Sequence, residues 1–224
     1  DIASPTVPEI SKVYFYDVPN AKQSVLRFGY PALAVTDDDY YPAQIMNYRL
    51  GGGGFASQLT QQLRESKGYT YGIGSGFSGS TIKGPFTIRS GVRSNVTFES
   101  AELVKKILND YAANYNENDL EVSKSFLIKS NARAFETFRS KLNMLRNISN
   151  YGFDDDYPKQ REDIVKNMTI DEIKTLAERY LNTDKMIWLV VGDAATQLNK
   201  LEDLGFGKPI LLNEETEDTS DIIN

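Results

Sequence analysis

Arg64 and Tyr71 are the side chains of this sequence whose types and spacing point most directly to chemistry. They stand seven residues apart in the stretch LRESKGYTYGIGSG, which runs from residue 63 to 76. An arginine offers a rigid fork of hydrogen-bond donors, and a tyrosine offers one hydroxyl donor on a stiff stem. Such a pair suits a peptide carbonyl, or the oxyanion that it becomes during acyl transfer. On composition and spacing alone a plainer interpretation is favoured, in which Arg64 is a solvated helix residue and Tyr71 a core tyrosine.

Histidine and cysteine are both absent from the 224 residues. Their absence excludes catalytic arrangements of the Ser/His/Asp and Cys/His kinds, zinc sites of the usual ligands, and disulfides. It fits a reducing compartment and also an oxidising one. A periplasmic or other extracytoplasmic location is favoured over a cytoplasmic one, and the compartment stays open.

The charge balance bears on the partners that the chain can take. With 31 acidic and 25 basic residues the formal net charge is −6, which argues against nucleic acid as a main partner. No segment is long and apolar enough to span a bilayer. The chain begins at Asp1 without a methionine, so we expect a processed or excised piece of a longer protein.

Apolar periodicity and turn residues predict an α+β fold, in which helices pack on one face of a mainly antiparallel sheet. The predicted strands are 12–17, 23–30, 69–79, 86–92 and 186–191. The predicted helices are 40–50, 56–66, 98–114, one from 117 or 118, 138–151, 158–167 and one that begins after Thr169. One domain is expected at 12–212, between a linker at 1–11 and an acidic tail at 213–224.

Several finer expectations follow from the same pattern. The first two strands should form a hairpin or meander. Strict alternation would put Tyr69, Tyr71 and Ile73 on one face of the third strand and its glycines on the other. Asn95 is expected to cap a helix, and Thr169 to form a capping box with Glu172.

Three further motifs are better explained by structure than by ligands. The pattern G-x-G-x-x-G at 74–79 lies within a strand, whereas a dinucleotide fingerprint follows a strand and opens a helix. The glycines at 51–54 end a helix and are not followed by the G-K-[ST] of a phosphate loop. The aspartate triplets at 37–39 and 154–156 precede helices and lack the ligand spacing of a calcium loop.

The linked run GGGGFASQLTQQLRESKGYTYGIGSGF resembles a signature of the pitrilysin/insulinase family of zinc metallopeptidases. The resemblance rests on a glycine-rich turn, a small-residue helix, Leu-Arg-Glu, a Gly-aromatic step and a tyrosine seven residues after the arginine. These are Gly52, Gly53, Ser57, Leu59, Leu63, Arg64, Glu65, Gly68, Tyr69 and Tyr71. The order of elements and the length also match one family repeat, of the metalloenzyme LuxS-like type.

In that family one domain carries the zinc motif H-x-x-E-H, and a homologous partner without zinc ligands supplies an arginine and a tyrosine. Since this chain has no histidine, the resemblance implies the partner domain, inactive alone and without a cofactor of its own. Arg64 would then bind a substrate backbone carbonyl, and Tyr71 would donate to the scissile carbonyl or its oxyanion. The supporting turn and packing residues would be Gly52, Gly53, Gly68, Gly72 and Gly74.

The same resemblance implies that the zinc and a glutamate base belong to a homologous domain or subunit, and that the substrate is a peptide. Two other interpretations stay open. The chain could be a structural or peptide-recognition subunit of this family, in which Arg64 and Tyr71 have no chemical role. It could also be an unrelated α+β ligand-binding module.

Overall fold

The computed structural model describes residues 3–133 and 135–213. In this part of the chain six strands form one sheet, in the order β3-β4-β2-β5-β1-β6. The strands are β1 (Lys12–Asp17), β2 (Gln23–Leu33), β3 (Thr70–Phe77), β4 (Gly84–Arg93), β5 (Ile187–Gly192) and β6 (Ile210–Leu211). The acidic tail predicted at 213–224 lies outside the described residues from position 214 onward.

The sheet is mainly antiparallel, as the sequence predicts. Strands β2 and β4, β3 and β4, and β2 and β5 are antiparallel pairs, whereas β1 pairs in parallel with β5 and β6. The expected hairpin of β1 and β2 is wrong, because β5 lies between them. The apolar run of β5 explains its central position, since Trp188 and Val190 are fully buried there.

Seven α-helices follow or separate the strands of the described chain. They are α1 (Tyr40–Asn47), α2 (Thr97–Asn114), α3 (Glu117–Arg133), α4 (Phe138–Tyr151), α5 (Tyr157–Asn167), α6 (Ile170–Tyr180) and α7 (Ala194–Gln197). Two π-helical segments, Tyr48–Gly52 and Thr60–Ser66, flank a 3₁₀ turn at Gly54–Ala56. These segments lie between α1 and β3, where the glycine-rich motif was found.

The core lies between the helices and one face of the sheet. Leu26 and Phe28 of β2 are buried there, and they alternate with exposed Val25 and Arg27. The alternate residues of the central strands form a second face, which no helix of the described chain covers. We call it the open face. It carries Tyr14, Tyr16, Val25, Arg27, Thr87, Arg89, Gly91, Ile187, Leu189 and Val191.

The two predicted caps have different outcomes. Thr169 caps α6, where its hydroxyl accepts from the Glu172 N–H and the Glu172 carboxylate accepts from the Thr169 N–H, so the capping box is confirmed. The Asn95 cap is wrong. Asn95 lies in a 3₁₀ turn, and α2 begins at Thr97, whose hydroxyl donates to the Ser94 carbonyl.

Replacing Thr169 with alanine should destabilise the domain by about 1 kcal/mol, because the Glu172 N–H loses its side-chain acceptor and the Glu172 carboxylate loses the hydroxyl that donates to it. Urea unfolding measures this free energy. The matched control is Thr175→Ala, which removes an exposed hydroxyl within the same helix. Equal unfolding free energies for both variants would contradict the stabilising role of the capping box.

Candidate functional site

The glycine-rich turn after α1 packs so closely that side chains do not fit. A Cβ added at Gly52 would lie 2.8 Å from the Asn47 side-chain nitrogen, and one at Gly53 would lie 2.6 Å from the Tyr48 carbonyl oxygen. Burial raises the pKa of Tyr48, so this tyrosine stays neutral beside the turn. The glycines therefore allow the chain to fold back onto the end of α1.

Two contacts tie α1 to the edge strand β3. The Asn47 side-chain amide donates to the Ser75 carbonyl at 2.9 Å, and the Ser75 hydroxyl donates to the Asn47 side-chain oxygen. Gly51 lies against the same serine, since a Cβ there would be 2.2 Å from Ser75 Oγ. Helix α1 and the turn are thus fixed to the strand that carries Tyr71.

A buried ion pair ties the same turn to α3. Arg49 donates from Nε to Asp119 Oδ1 at 2.8 Å, and its Nη2 lies 2.7 Å from the same oxygen. Its Nη1 donates to the Ala56 carbonyl. The Asp119 side chain is only 6% exposed, so little water screens the pair. Arg49 therefore joins both ends of the glycine-rich turn to the helical layer.

Arg64 lies near the end of the second π-helical segment. Its guanidinium carbon is 4.6 Å from the ring centroid of Phe55, and its Nε is 3.3 Å from a Glu65 carboxylate oxygen. The side chain is 39% exposed. In the described part of the chain no hydrogen bond uses its two Nη groups. The stack on Phe55 occupies one face of the guanidinium and leaves these edge donors available to a ligand.

Gly68 turns the chain between Arg64 and β3. It has φ 61°, a left-handed value that favours glycine, and its N–H donates to the Arg64 carbonyl at 3.0 Å. The Tyr69 N–H then donates to the Leu63 carbonyl at 2.8 Å. The helical segment is thereby closed, and β3 begins at Thr70.

Tyr71 is directed outward by a β-bulge. Thr70 pairs with Val92 and Ile73 pairs with Ser90, so Tyr71 and Gly72 both lie opposite Gly91. Thr70 and Ile73 are buried against the helices, whereas Tyr71 is 89% exposed. The expected common face for Tyr69, Tyr71 and Ile73 is therefore wrong. The extra residue shifts the alternation and places Tyr71 on the side of the open face.

The Thr70 hydroxyl holds this bulge. It accepts from the Gly72 N–H at 3.0 Å and from the Ser90 hydroxyl at 3.0 Å, and it lies 2.6 Å from the Gly91 carbonyl, to which it donates. A side chain thus satisfies backbone groups that the interrupted ladder leaves without strand partners. Thr70 is buried, so these bonds are protected from water.

Arg64 and Tyr71 lie on either side of the Gly68 turn, Arg64 with a partly exposed side chain and Tyr71 with a highly exposed one. Gly72 and Gly74 follow Tyr71 along β3. Sequence reasoning missed Arg49, Asn47 and Thr70, whose hydrogen bonds hold the glycine-rich turn and the start of β3 in place. The glycines of β3 were the available signal for a bulge.

Metal ligands do not converge in the described part of the chain. No group of three or more His, Cys, Asp or Glu side chains there could hold a metal ion. None of the described helices has the length and apolar character needed to cross a membrane.

Comparison with known families decides the identity of the fold. The model of the peptidase M16 inactive domain matches residues 2–127, more than half of the chain. The chain belongs to the peptidase M16 inactive domain family. The resemblance to pitrilysin-type and insulinase-type peptidases is thereby confirmed, and the M16 inactive domain is the half without zinc ligands.

Individual relatives agree with this assignment. The solved M16 inactive domain from Pseudomonas fluorescens is 26% identical with a TM-score of 0.77, and the match covers 86% of this chain and 46% of that one. An uncharacterized zinc protease of Streptomyces coelicolor is 30% identical over 104 residues, which cover 46% of this chain and 22% of the relative. The non-peptidase homolog YmxG of Helicobacter pylori is 24% identical over 187 residues, covering 81% and 42%. The chain spans less than half the length of the curated relatives that it matches.

Removing the carboxylate charge with Asp119→Asn should destabilise this M16 inactive domain by about 3 kcal/mol, because the Arg49 charge loses its buried partner. The control Asp110→Asn breaks the exposed pair with Lys106 and should change the unfolding free energy by less than about 1 kcal/mol. Urea unfolding measures both. If both variants lost less than about 1 kcal/mol of unfolding free energy, the Arg49–Asp119 pair would not be what holds the glycine-rich turn to α3.

Replacing Thr70 with valine should cost about 1–3 kcal/mol, because the Gly72 N–H and the Gly91 carbonyl lose the same partner. The Gly72 amide should also exchange its hydrogen faster by NMR. Thr87→Val, on the open face of β4, is the control and should leave exchange at Gly72 unchanged. Unchanged exchange in the Thr70 variant would contradict the role of its hydroxyl in the bulge.

Proposed function

We propose that this M16 inactive domain supplies substrate-binding and oxyanion-stabilising donors to a zinc site on a homologous partner domain of a metalloendopeptidase. The observation that carries the proposal is the exposure of Tyr71. Its side chain is 89% exposed at a bulge, and no hydrogen bond of the described residues uses its hydroxyl. The Tyr71 hydroxyl is therefore a hydrogen-bond donor that points outward and that no described residue uses.

Each donor has a distinct role in the proposal. The Arg64 guanidinium binds a backbone carbonyl of the peptide through its free edge donors. The Tyr71 hydroxyl donates to the scissile carbonyl and more strongly to the oxyanion that forms from it. The stack on Phe55 orients the Arg64 guanidinium, and the bulge places Tyr71 on the exposed side of β3. Donors aimed at developing charge stabilise the transition state.

The chain's own residues do not fit a zinc ion, because it has no histidine or cysteine and no converging carboxylates among its described residues. In the proposal the zinc belongs to the partner half, where it would activate the attacking water. The purified chain alone should therefore hydrolyse no peptide. Chelator-sensitive hydrolysis by the chain alone would overturn this division of labour.

A second candidate is a non-catalytic subunit that binds or supports peptides without taking part in chemistry. It is favoured by the relative named as a non-peptidase homolog, whose match covers 81% of this chain. In that case Arg64 and Tyr71 are inherited features. The two candidates differ in the effect of these residues on turnover.

The deciding experiment combines the domain with its zinc-bearing half and measures peptide hydrolysis. Tyr71→Phe should lower kcat/KM about 10- to 1000-fold, because one oxyanion donor is lost. Arg64→Ala should lower it at least about tenfold, mainly through KM. Tyr16→Phe, which removes another exposed hydroxyl from the open face, and Arg139→Ala on α4 are the matched controls. Unchanged turnover in folded Arg64 and Tyr71 variants would support the non-catalytic candidate.

A further inference from the structure

Four glycines lie where the open face reaches the edge strand β3. They are Gly72, Gly74 and Gly76 of β3 and Gly91 of β4. None of them has a positive φ. A Cβ added at Gly72, Gly76 or Gly91 would meet nothing within 4 Å, and one at Gly74 would meet only the Gly51 carbonyl oxygen at 3.3 Å.

Backbone conformation explains none of these glycines, and internal packing bears only on Gly74, whose added Cβ would be in tight contact with the Gly51 carbonyl oxygen. Glycine within a strand lowers stability, and it marks places where a ligand or another backbone approaches closely. Their common effect is a trough without side chains along the edge of the open face. We call this surface the glycine trough.

Two arginines form the wall of the glycine trough. In the register of the sheet Gly74 is opposite Arg89, and Arg89 is opposite Arg27 on the next strand. Both arginines are exposed, and neither forms an ion pair within the described chain. A shallow cavity of about 370 Å³ is lined by both arginines and by Gly72, Gly74 and Gly91.

Like charges placed directly opposite each other on neighbouring strands are destabilising. The repulsion between Arg27 and Arg89 is relieved when an anion binds between them. A carboxylate matches the fork geometry of a guanidinium, and the two arginines together offer several donors to one carboxylate. The trough beside them is open enough for a peptide backbone.

We propose that the glycine trough binds an extended peptide and that Arg27 and Arg89 recognise a carboxylate on that peptide. This inference rests on the proposed function, since Tyr71 lies at the end of the trough, on the same strand. Gly74, which faces Arg89, is three residues beyond Tyr71, or about 10 Å along the strand. The preferred substrates are therefore peptides with a carboxylate about three residues from the scissile bond.

Direct binding to the full chain tests the ligand chemistry. Fluorescence anisotropy is measured with three labelled, extended, otherwise neutral peptides. One has a single glutamate and an amidated C-terminus, the second has glutamine and a free C-terminal carboxylate, and the third has glutamine and an amide. At least one of the two carboxylate peptides should bind at least about tenfold more tightly than the neutral peptide. Which of the two binds tightly shows whether the trough recognises a side-chain or a terminal carboxylate. Equal affinity for all three overturns the proposal.

Variants test the location. The double variant Arg27→Gln with Arg89→Gln should bind the preferred peptide only as weakly as the neutral one. Lys12→Gln removes a cation from β1, three strands away from β4 in the sheet, and should leave binding unchanged. Wild-type affinity in the double variant, or equal losses in the double variant and the control, overturns the assignment.

Filling the trough gives an independent test that preserves the charges. Gly91→Val adds a side chain where the chain leaves open space, and valine favours strands, so urea unfolding should show unchanged or higher stability. Peptide affinity should nevertheless fall at least about tenfold, because the added side chain occupies the trough. A stable Gly91→Val variant with wild-type peptide affinity would show that the peptide does not bind in the glycine trough.

The trough and the proposed function fail in different ways. If Arg64 and Tyr71 variants lose turnover while the Arg27 and Arg89 double variant keeps the preference for carboxylate peptides, the trough is wrong and the function stands. If the double variant loses that preference in binding while the Arg64 and Tyr71 variants keep full turnover, the function is wrong and the trough stands.

Discussion

The extra residue in β3 is the constraint on which the outward direction of Tyr71 depends. Without the bulge, strict alternation would place Tyr71 on the same side as Ile73, against the helices. With it, Tyr71 and Gly72 share one partner position opposite Gly91, and the tyrosine is exposed. The Thr70 hydroxyl makes this irregular backbone stable by bonding to groups on both strands. One extra residue in β3 thereby decides whether the Tyr71 phenol is exposed or buried against the helices.

The surroundings of the bulge are fixed by contacts far apart in sequence. Asn47 and Ser75 join α1 to β3, and Arg49 and Asp119 join the glycine-rich turn to α3. A buried ion pair has a desolvation cost, so its contribution here is best understood as fixing the position of the turn. The helical layer thus supports β3 from one side, and no helix of the described chain covers the open face on the other.

Local signals predicted the parts of the fold that depend on local interactions. The alternation of β1, the bounds of α4 and the Thr169 capping box are all readable from neighbouring residues. The motif around Arg64 predicted the family, because its glycines and its arginine-to-tyrosine spacing lie within one short segment. The position of β5 between β1 and β2 depends on pairing across more than 150 residues, which no local pattern encodes. The bulge and the Arg27–Arg89 pair likewise depend on the register with β4.

The central claim is that Arg64 and Tyr71 of this M16 inactive domain contact the reacting carbonyl of a peptide bound at a partner's zinc site. Its most direct test is a crystal structure of the domain with its zinc-bearing half and a peptide analogue whose scissile carbonyl is replaced by a tetrahedral phosphinate. The account predicts the Tyr71 hydroxyl about 2.7–3.1 Å from a phosphinate oxygen and the Arg64 guanidinium on an adjacent backbone carbonyl. A bound analogue that both side chains leave uncontacted would contradict the account.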